Sequence, residues 1–405
     1  MNLSLRRNLR PAKRNAYQHV QRLAKDAHIR PALATLANAR DTIVELSVQI
    51  QQIPAPTFEE RQRAQFVEAY FKQIGLHDVG IDPLNNVFGR YAGRNRKLAP
   101  LIISAHSDTV FPPETDLTIR RVGNFVYGPG IADNSAGVAG LLVLANCLRQ
   151  HKLVPDRDIW FVVNSAEEGI GDLRGMREVT KRFLDAHAFI VVEGGMYGYI
   201  LHEGIGVKRF RIEVNTEGGH SWSDFGRISA VHILSQIVSR IDAIRLPKTP
   251  KTTYNVGIIE GGTSINTIAA NAMLQLDLRS ERAPNLDQLV NQVQLIVHQT
   301  QRRYEQARIS IVKIGDRPAG MCRQDADIVK MADAALRLTG CQQVHYLRGS
   351  TDANIPLSLN LDAVCIGLAR SANAHRLDEY LDIDLLPSGL QQLLLLTLGM
   401  TTEAS

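Results

Sequence analysis

The sequence predicts an α/β protein, in which a mostly parallel sheet is flanked by helices and a smaller ferredoxin-like α+β domain is inserted. Strands and helices alternate along the first half of the chain, an order typical of parallel sheets. Between residues 207 and 315 the order changes to βαββαβ, the split motif of ferredoxin-like domains. The chain has 405 residues, more than one hydrophobic core usually holds, and this favours two domains.

The elements of the first half follow from hydrophobic periodicity and from helix start and stop signals. We expect a helix near 37–53, a helix at 58–75 with Thr57 as its N-cap, a hairpin-like region around 95–97, a strand at 101–106, a helix at 136–149, an apolar strand from Trp160 that leads to Glu167, a helix near 180–187 and a strand at 188–195.

The second half begins with the expected insertion and then returns to the α/β order. Within the insertion we expect strands at 207–216, 252–262, 272–280 and 307–315, with helices at 230–244 and 286–306. After it come a helix at 325–339, a strand at 362–367 and a helix at 385–398. The predicted boundaries are therefore a basic N-terminal extension at 1–36, a discontinuous main domain at 37–206 and 316–405, and the insertion at 207–315.

Composition indicates an ordinary globular protein. Hydrophobic residues make up 44% of the chain and charged residues 21%, and no apolar run approaches the roughly 20 residues that a membrane span needs. We therefore expect no membrane span. The four cysteines are far apart and lack metal-type spacing, which indicates reduced thiols and a cytoplasmic location rather than a cysteine zinc site.

Positive charge is concentrated at the N-terminus. Residues 1–30 contain eight Lys or Arg and one acid, Asp26, a net +7 against +5 for the whole chain, which leaves −2 for the remainder. Such an arm could bind nucleic acid or anionic lipid, or act as an organelle transit sequence. Because Tyr17 is its only aromatic residue, we favour a solvated, partly helical extension and do not expect nucleic acid as a partner.

Residues able to bind metal follow several predicted strands. His106 ends one strand and Asp108 lies two residues on, where it could bind the far ring nitrogen of that histidine. The other candidates are at strand ends or in loops: Asp133, Glu167, Glu168, Glu193 and His375. Each has an ordinary alternative, such as a helix cap for Asp133 or an acidic turn for the Glu pair. Together, at the edge where α/β sheets bind ligands, they indicate a site for two ions of zinc, manganese or cobalt.

Seven runs of the sequence carry a family resemblance: SAHSDTV, GPGIADNSAGVAGLL, NSAEEG, VVEGG, GGHSW, INTIAANAMLQLDLRS, and GSTDANIP followed by ANAHRLDEY. In this order they resemble the dinuclear zinc peptidase family that includes peptidase T, glutamate carboxypeptidase, aminoacylase and succinyl-diaminopimelate desuccinylase. The resemblance extends from about Ile53 to Leu385. It implies a phosphorylase/hydrolase-like catalytic domain and a dimerisation role for the insertion.

Carried over by position, the resemblance assigns two metal groups. It implies that His106, Asp133 and Glu193 bind one ion and that Asp133, Glu168 and His375 bind the other. Glu167 would be the general base, and Asp108 would orient His106. Zinc is the metal it implies, with manganese or cobalt as alternatives.

The same resemblance implies how substrate is held. His220 would reach the active site of a partner subunit in a homodimer and stabilise the oxyanion, although a structural turn histidine is equally compatible with the sequence. The implied substrate-binding residues are Asn266, Arg279, Gly349, Ser350 and Thr351. Asn266 and Arg279 could equally be structural strand residues, and Ser350 and Thr351 could instead cap a helix.

The expected function is metal-dependent hydrolysis of amide bonds in small peptides. The alternatives are a deacylase of N-acyl amino acids, which would use the same chemistry, and a non-catalytic metal-binding relative. Glu193 favours the carboxypeptidase and deacylase side of the family, whereas GHSWSDFG is similar to peptidase T, and these two indications conflict.

Overall fold

The computed structural model describes residues 15–402. Its α-helices in chain order are α1 (Ala16–Lys25), α2 (Arg30–Ala37), α3 (Arg40–Gln51), α4 (Arg61–Ile74), α5 (Ala136–Gln150), α6 (Arg174–Arg182), α7 (Ala230–Asp242), α8 (Ala283–Arg303), α9 (Asp327–Leu338), α10 (Asn354–Ser358) and α11 (Leu386–Thr401). A π-helical turn, Ile131–Ser135, leads directly into α5.

The strands in chain order are β1 (His77–Ile81), β2 (Val87–Tyr91), β3 (Leu101–His106), β4 (Arg120–Val122), β5 (Phe125–Tyr127), β6 (Ile159–Asn164), β7 (Ala188–Glu193), β8 (Tyr199–Gly204), β9 (Gly206–Asn215), β10 (Gly219–His220), β11 (Thr252–Gly261), β12 (Thr267–Ile268), β13 (Asn271–Ser280), β14 (Arg308–Arg317), β15 (Gly320–Met321), β16 (His345–Gly349), β17 (Ala363–Gly367), β18 (Arg370–Ala372) and β19 (Tyr380–Asp382).

The large sheet confirms the predicted α/β class. Its order is β1-β2-β6-β3-β7-β17-β8-β15, with β16 also paired to β8. The four central strands, β6, β3, β7 and β17, are parallel and almost completely buried, whereas antiparallel strands lie on both sides of them. Apolar β3 and β7 are buried on both faces because helices cover the sheet, as is typical of parallel strands.

The insertion also has the predicted ferredoxin-like form. Its four-stranded antiparallel sheet has the order β11-β13-β9-β14. Alternate side chains of β13 face α7 and α8 and form a separate apolar core that includes Leu274, Leu276 and Leu278. The opposite face of the sheet has charged residues near the ends where the chain enters and leaves the insertion.

Three local predictions are wrong. Residues 95–97 form a turn, and the antiparallel hairpin lies earlier, between β1 and β2. The helix expected at 180–187 is α6, which begins earlier, at Arg174, and ends at Arg182; Phe183 leaves the helical conformation, and its ring centroid is 5.2 Å from that of Trp160. Thr57 does not cap α4, since its hydroxyl donates to Asp108 instead.

The predicted N-terminal extension differs most from the structure. Helices α1 and α2 pack on α9 and α11, and their residues Val20, Ala32 and Leu36 are buried in the large core. The limit drawn after residue 36 therefore does not separate a solvated segment from the main domain. Of the basic residues counted in the arm, those at positions 6, 7, 10, 13 and 14 lie outside the described residues.

Two helical segments are long and apolar enough to cross a membrane by length and composition, Ile131–Gln150 and Ile383–Thr401. Within the fold, 89% and 67% of their most apolar windows are buried, as expected of core helices in a globular protein. The four cysteines are free thiols, three of them buried. The cytoplasmic location drawn from them stays a prediction.

Candidate active site

The parallel strands bring the predicted metal ligands to one edge of the sheet. His106 is the last residue of β3, and Glu193 is the last residue of β7 beside it. Strand β6 lies on the other side of β3, and Glu167 and Glu168 follow its end at Asn164. Because parallel strands end at the same edge, four residues far apart in sequence meet there.

Asp133 and His375 complete the cluster from two loops. Asp133 lies in the turn before α5, and its two carboxylate oxygens face different histidines. Its Oδ1 is 3.0 Å from Nε2 of His106, and its Oδ2 is 3.2 Å from Nε2 of His375. The ring of His106 is also 3.6 Å from Glu193, and that of His375 is 3.0 Å from Glu168.

The structure thus brings together all five predicted metal ligands in the two predicted groups. Within each group the ligand atoms lie within 4.8 Å of one another, and Asp133 belongs to both groups. His106 also forms a third group with Glu167 and Glu168. Imidazole nitrogen and carboxylate oxygen together suit zinc, manganese and cobalt, so the residues present fit a pair of divalent ions.

The charges of the cluster shift its pKa values strongly. Burial alone would lower the pKa of His106, but contacts with Asp108, Asp133 and Glu193 outweigh it and hold that pKa well above its usual value. Contacts with Asp133 and Glu168 raise the pKa of His375 to about 10. Burial raises the pKa of Glu193. The carboxylates of the cluster thus favour positive charge at both imidazoles, and the same negative potential favours bound cations.

Asp108 connects the histidine to the Glu pair. Its carboxylate accepts the backbone N–H groups of Glu167 and Glu168, both at 2.9 Å, and the hydroxyl of Thr57 at 2.9 Å. Its own backbone carbonyl is 3.1 Å from Nδ1 of His106, and its carboxylate is 3.6 Å from the same nitrogen. Nε2 of His106 is thereby left facing the acids, as the sequence predicted, and the Glu pair is held in the same network.

Two buried groups of the site were missed by the sequence analysis. Glu379 accepts the backbone N–H groups of Gly130, Ala132 and Asp133 at 3.0, 2.7 and 2.9 Å, and so fixes the turn that presents Asp133. The one feature of the sequence that could have indicated a role for Glu379 is its position four residues after His375. The other missed group is Arg317.

Arg317 forms a buried ion pair with the proposed base. Its Nη1 lies 3.0 Å from Oε1 of Glu167, and both side chains are 8% exposed. Burial nevertheless keeps the pKa of Glu167 well above its usual value, because it outweighs the nearby guanidinium and Glu168 adds repulsion. No pattern in the sequence links these two residues, which are 150 positions apart.

A further carboxyl is buried behind the cluster. Asp352 is inaccessible to solvent and accepts a hydrogen bond of 2.7 Å from Nδ2 of Asn164, the last residue of β6. Burial raises the pKa of Asp352 to about 7. It belongs to the predicted substrate loop, where Ser350 lies 3.3 Å from Arg317 and Thr351 accepts from the N–H of Ala353. Gly349 ends β16, and its carbonyl accepts from Ile205.

The remaining predicted residues lie on the insertion, apart from the metal cluster. His220 and Asn266 are exposed at the β10–β12 ribbon, where His220 pairs with Thr267. Within residues 15–402 the hydrogen bonds of both stay inside the insertion. Arg279 is half-exposed on β13, and its Nε is 2.6 Å from Asp277.

The sequence matches the family described as Peptidase family M20/M25/M40 over residues 102–398. That match spans well over half of the chain and includes every predicted metal ligand. The chain belongs to this family. Membership confirms the predicted class of enzyme, a metal-dependent hydrolase of amide bonds.

Relatives within the M20/M25/M40 family include enzymes of several specificities. Succinyl-diaminopimelate desuccinylase of Corynebacterium glutamicum is 24% identical over 375 residues, which are 89% of this chain and 96% of that protein. Carboxypeptidase G2 of a Pseudomonas species is 24% identical over 265 residues, 63% of this chain and 62% of that protein.

Solved structures show the same M20/M25/M40 fold. A tripeptidase from Staphylococcus aureus superposes with a TM-score of 0.77 at 20% identity, covering 89% of this chain and 98% of that one. A dipeptidase from Saccharomyces cerevisiae superposes with a TM-score of 0.75 at 14% identity, covering 93% of this chain and 99% of that one.

Proposed function

We propose that this protein hydrolyses the amide bonds of small peptides at a centre of two divalent metal ions. The observation that carries the proposal is the position of Asp133, whose two carboxylate oxygens each face a different histidine. His106 and Glu193 would complete one ion's ligands, and Glu168 and His375 the other's. Zinc is the metal we propose, with manganese or cobalt as alternatives.

Glu167 is the group we assign to proton transfer. Two ions bound in the cluster would lower the pKa of a water between them and polarise the carbonyl of the amide. Glu167 lies beside the cluster without belonging to either ligand group around Asp133. It would take the proton of the attacking water and pass it to the leaving nitrogen, and its raised pKa suits a group that must both accept and return a proton.

A pair of variants tests this assignment. Glu167→Gln should keep two equivalents of metal but lose about 10²- to 10⁴-fold in kcat, the usual range for a general base. His375→Ala should lose metal as well as activity. Glu178→Gln, on the exposed part of α6, is a matched control that should leave both unchanged. Full activity in Glu167→Gln would refute the assignment of the base, whatever its metal content.

The substrate class has two candidates. Peptides are favoured by the fold shared with a tripeptidase, and N-acyl amino acids by relatives named succinyl-diaminopimelate desuccinylase and acetylornithine deacetylase. We propose that Arg279, Asn266 and the loop of Gly349, Ser350 and Thr351 bind the substrate. The exposed part of the Arg279 guanidinium could take a substrate carboxylate in a bidentate pair, in competition with Asp277.

A substrate panel separates these candidates. Dipeptides, tripeptides and N-acetyl amino acids should be assayed with zinc, manganese and cobalt in turn. We expect cleavage of at least one amide, and Arg279→Gln should raise KM more for substrates with a free carboxylate than for their amides. If two equivalents of metal bind and every amide stays intact, the protein is a non-catalytic relative and the proposal fails.

We also propose that two copies of the chain complete each active site. The loop of His220 carries Trp222 and Phe225, which are 87% and 91% exposed, and β11 is an edge strand with Ile258 and Ile259 outward. Exposed apolar side chains beside an unpaired strand edge are typical of interaction surfaces. In such a homodimer His220 of one copy would stabilise the oxyanion in the other.

Mixed dimers provide the test. His220→Ala and Glu167→Gln, each inactive alone, should regain about a quarter of wild-type activity when co-expressed, because half of the dimers are mixed and one of their two sites is intact. Light scattering should report a dimer for each variant. A monomeric protein, or mixtures that stay inactive, would refute the role of His220.

A further inference from the structure

Arg317 lies where the chain returns from the insertion to the main domain. It is the last residue of β14, opposite Val207, the second residue of β9. Its Nη1 contacts the Glu167 carboxylate at 3.0 Å and the Ser350 hydroxyl at 3.3 Å, and its Nη2 donates to the Glu167 backbone carbonyl. One guanidinium thus binds both the main chain and the side chain of Glu167, which fixes its direction as well as its place.

Other contacts join the same short loop to the same two strands. Nη1 of Arg209, on β9, donates to the carbonyl of Gly169 at 2.9 Å. The N–H of Asp316, on β14, donates to the carboxylate of Asp172 at 2.9 Å. The loop that follows β6 is therefore attached to the base of the inserted sheet at three points, Arg317 included.

Both chain connections to the insertion are also held together. Nδ2 of Asn354 donates to the carbonyls of Ile205 and Pro318, at 2.8 and 2.9 Å, so that one side chain joins the outgoing and returning segments. Asn354 lies four residues after Ser350, which contacts Arg317. The base of the insertion, the 349–354 loop and Glu167 thus form one connected set of contacts.

We propose that Arg317 is a positioning residue for Glu167, and that it couples the placement of the base to the orientation of the insertion. This rests on the proposed role of Glu167. A rotation of β9 and β14 would carry Arg317 with it and move the carboxylate it holds. A displacement of about 1 Å at a reacting group can cost about 100-fold in rate, so this contact can decide whether the site is productive.

The competing explanation is that the ion pair only stabilises the fold. If the role is only structural, Arg317→Gln should lower activity by the same factor with Glu or Gln at position 167, and the loss of another contact between the insertion and the main domain should lower activity as well. Arg348 provides the matched control, because it joins Glu203 of the main domain to Glu281 of the insertion, at 3.0 and 3.1 Å, without touching Glu167.

The experiment is a double-mutant cycle in the full chain, with the best substrate of the panel. Arg317→Gln should lower kcat about 100-fold while KM changes less than about threefold. Arg317→Lys, which keeps the charge but not the two-pronged contact, should lose about tenfold. In the Glu167→Gln background, Arg317→Gln should change kcat less than about twofold, and Arg348→Gln should leave wild-type kcat unchanged.

Thermal unfolding of the metal-free variants tests the contact between Arg317 and Glu167 through protein stability instead of activity. Arg317→Gln should lower Tm by about 5 °C because it leaves Glu167 buried without a partner, and adding Glu167→Gln should recover most of that loss. If Arg317→Gln does not fold, Arg317→Lys and the double variant complete the cycle. Unchanged kcat in Arg317→Gln, or losses that multiply in the double variant, would overturn the inference. Activity in Glu167→Gln alone would instead refute the proposed base.

Discussion

Glu379→Ala should weaken both metal groups at once, although Glu379 belongs to neither. Its carboxylate accepts three backbone N–H groups in the turn that presents Asp133, and it is fully buried. Each buried donor left without an acceptor costs about 1–3 kcal/mol. Burial, with repulsion from Asp133, raises the pKa of Glu379 to about 7, and this offsets part of its contribution. We therefore expect a net loss of about 2–4 kcal/mol in the free energy of unfolding.

The metal affinity should fall through the same turn. Outer contacts of this kind usually contribute 10- to 100-fold to metal affinity. Because Asp133 faces both His106 and His375, the loss should appear in both binding steps of a metal titration, with urea unfolding of the metal-free protein reporting the stability. Affinity loss in one step alone would show that Asp133 is not shared.

The adjacent acid is the control. Asp378 is exposed, and its contacts are with Arg376 and Asn373 in the loop that carries His375. Asp378→Ala should change stability by less than about 0.5 kcal/mol and metal affinity by less than about threefold. If Asp378→Ala weakens metal binding as much as Glu379→Ala does, disturbance of the loop explains the effect. If Glu379→Ala binds both metals as tightly as the wild type, the reasoning about the turn is refuted.

Three further outcomes are expected. Chelation should lower Tm, and added zinc should restore it, because an ion at about 1,000 times its Kd contributes about 4 kcal/mol to stability. In the metal-free protein His375 has a pKa of about 10, so its protonated form stabilises the fold fully below about pH 6.5 and this contribution is lost as the pH rises through 10. Metal binding must displace that proton, so metal affinity should rise with pH over this range, and calorimetry of the wild-type protein in two buffers of different ionisation enthalpy should detect the released proton. Leu36→Ala should cost about 3 kcal/mol in urea unfolding, as expected of a core residue, whereas exposed Leu184→Ala should cost less than about 0.5 kcal/mol. Equal costs for the two leucines would contradict the packing of α2.

Residues at strand ends were the most predictable part of the site. His106 and Glu193 each close an apolar run, and a polar group that ends a buried strand is visible in a single sequence. Neighbouring parallel strands then bring such residues together without further information. The family resemblance supplied the pairing of Asp133 with His375, which lie in loops and show no periodicity.

Contacts between distant segments could not be predicted in the same way. Arg317 meets Glu167 across 150 positions, and Glu379 meets the Asp133 turn across 246. Each is an ordinary charged residue until the fold buries it. The prediction of a solvated N-terminal extension was wrong for another reason. The segment is rich in Lys and Arg, which is typical of exposed chain, and the burial of Val20 and Leu36 depends on the distant helices α9 and α11.

The way the insertion joins the main domain makes the protein modular. The chain leaves at Gly206 and returns at Arg317, and Val207 and Arg317 are direct neighbours in the β9–β14 ladder. Paired residues in an antiparallel ladder are only about 5 Å apart, so a tight turn could close the gap that 109 residues now fill. The insertion has an apolar core of its own, separate from that of the main domain. An exchange of the insertion would therefore leave the main core unchanged, but it would also replace the contacts that β9 and β14 make with the loop of Glu167.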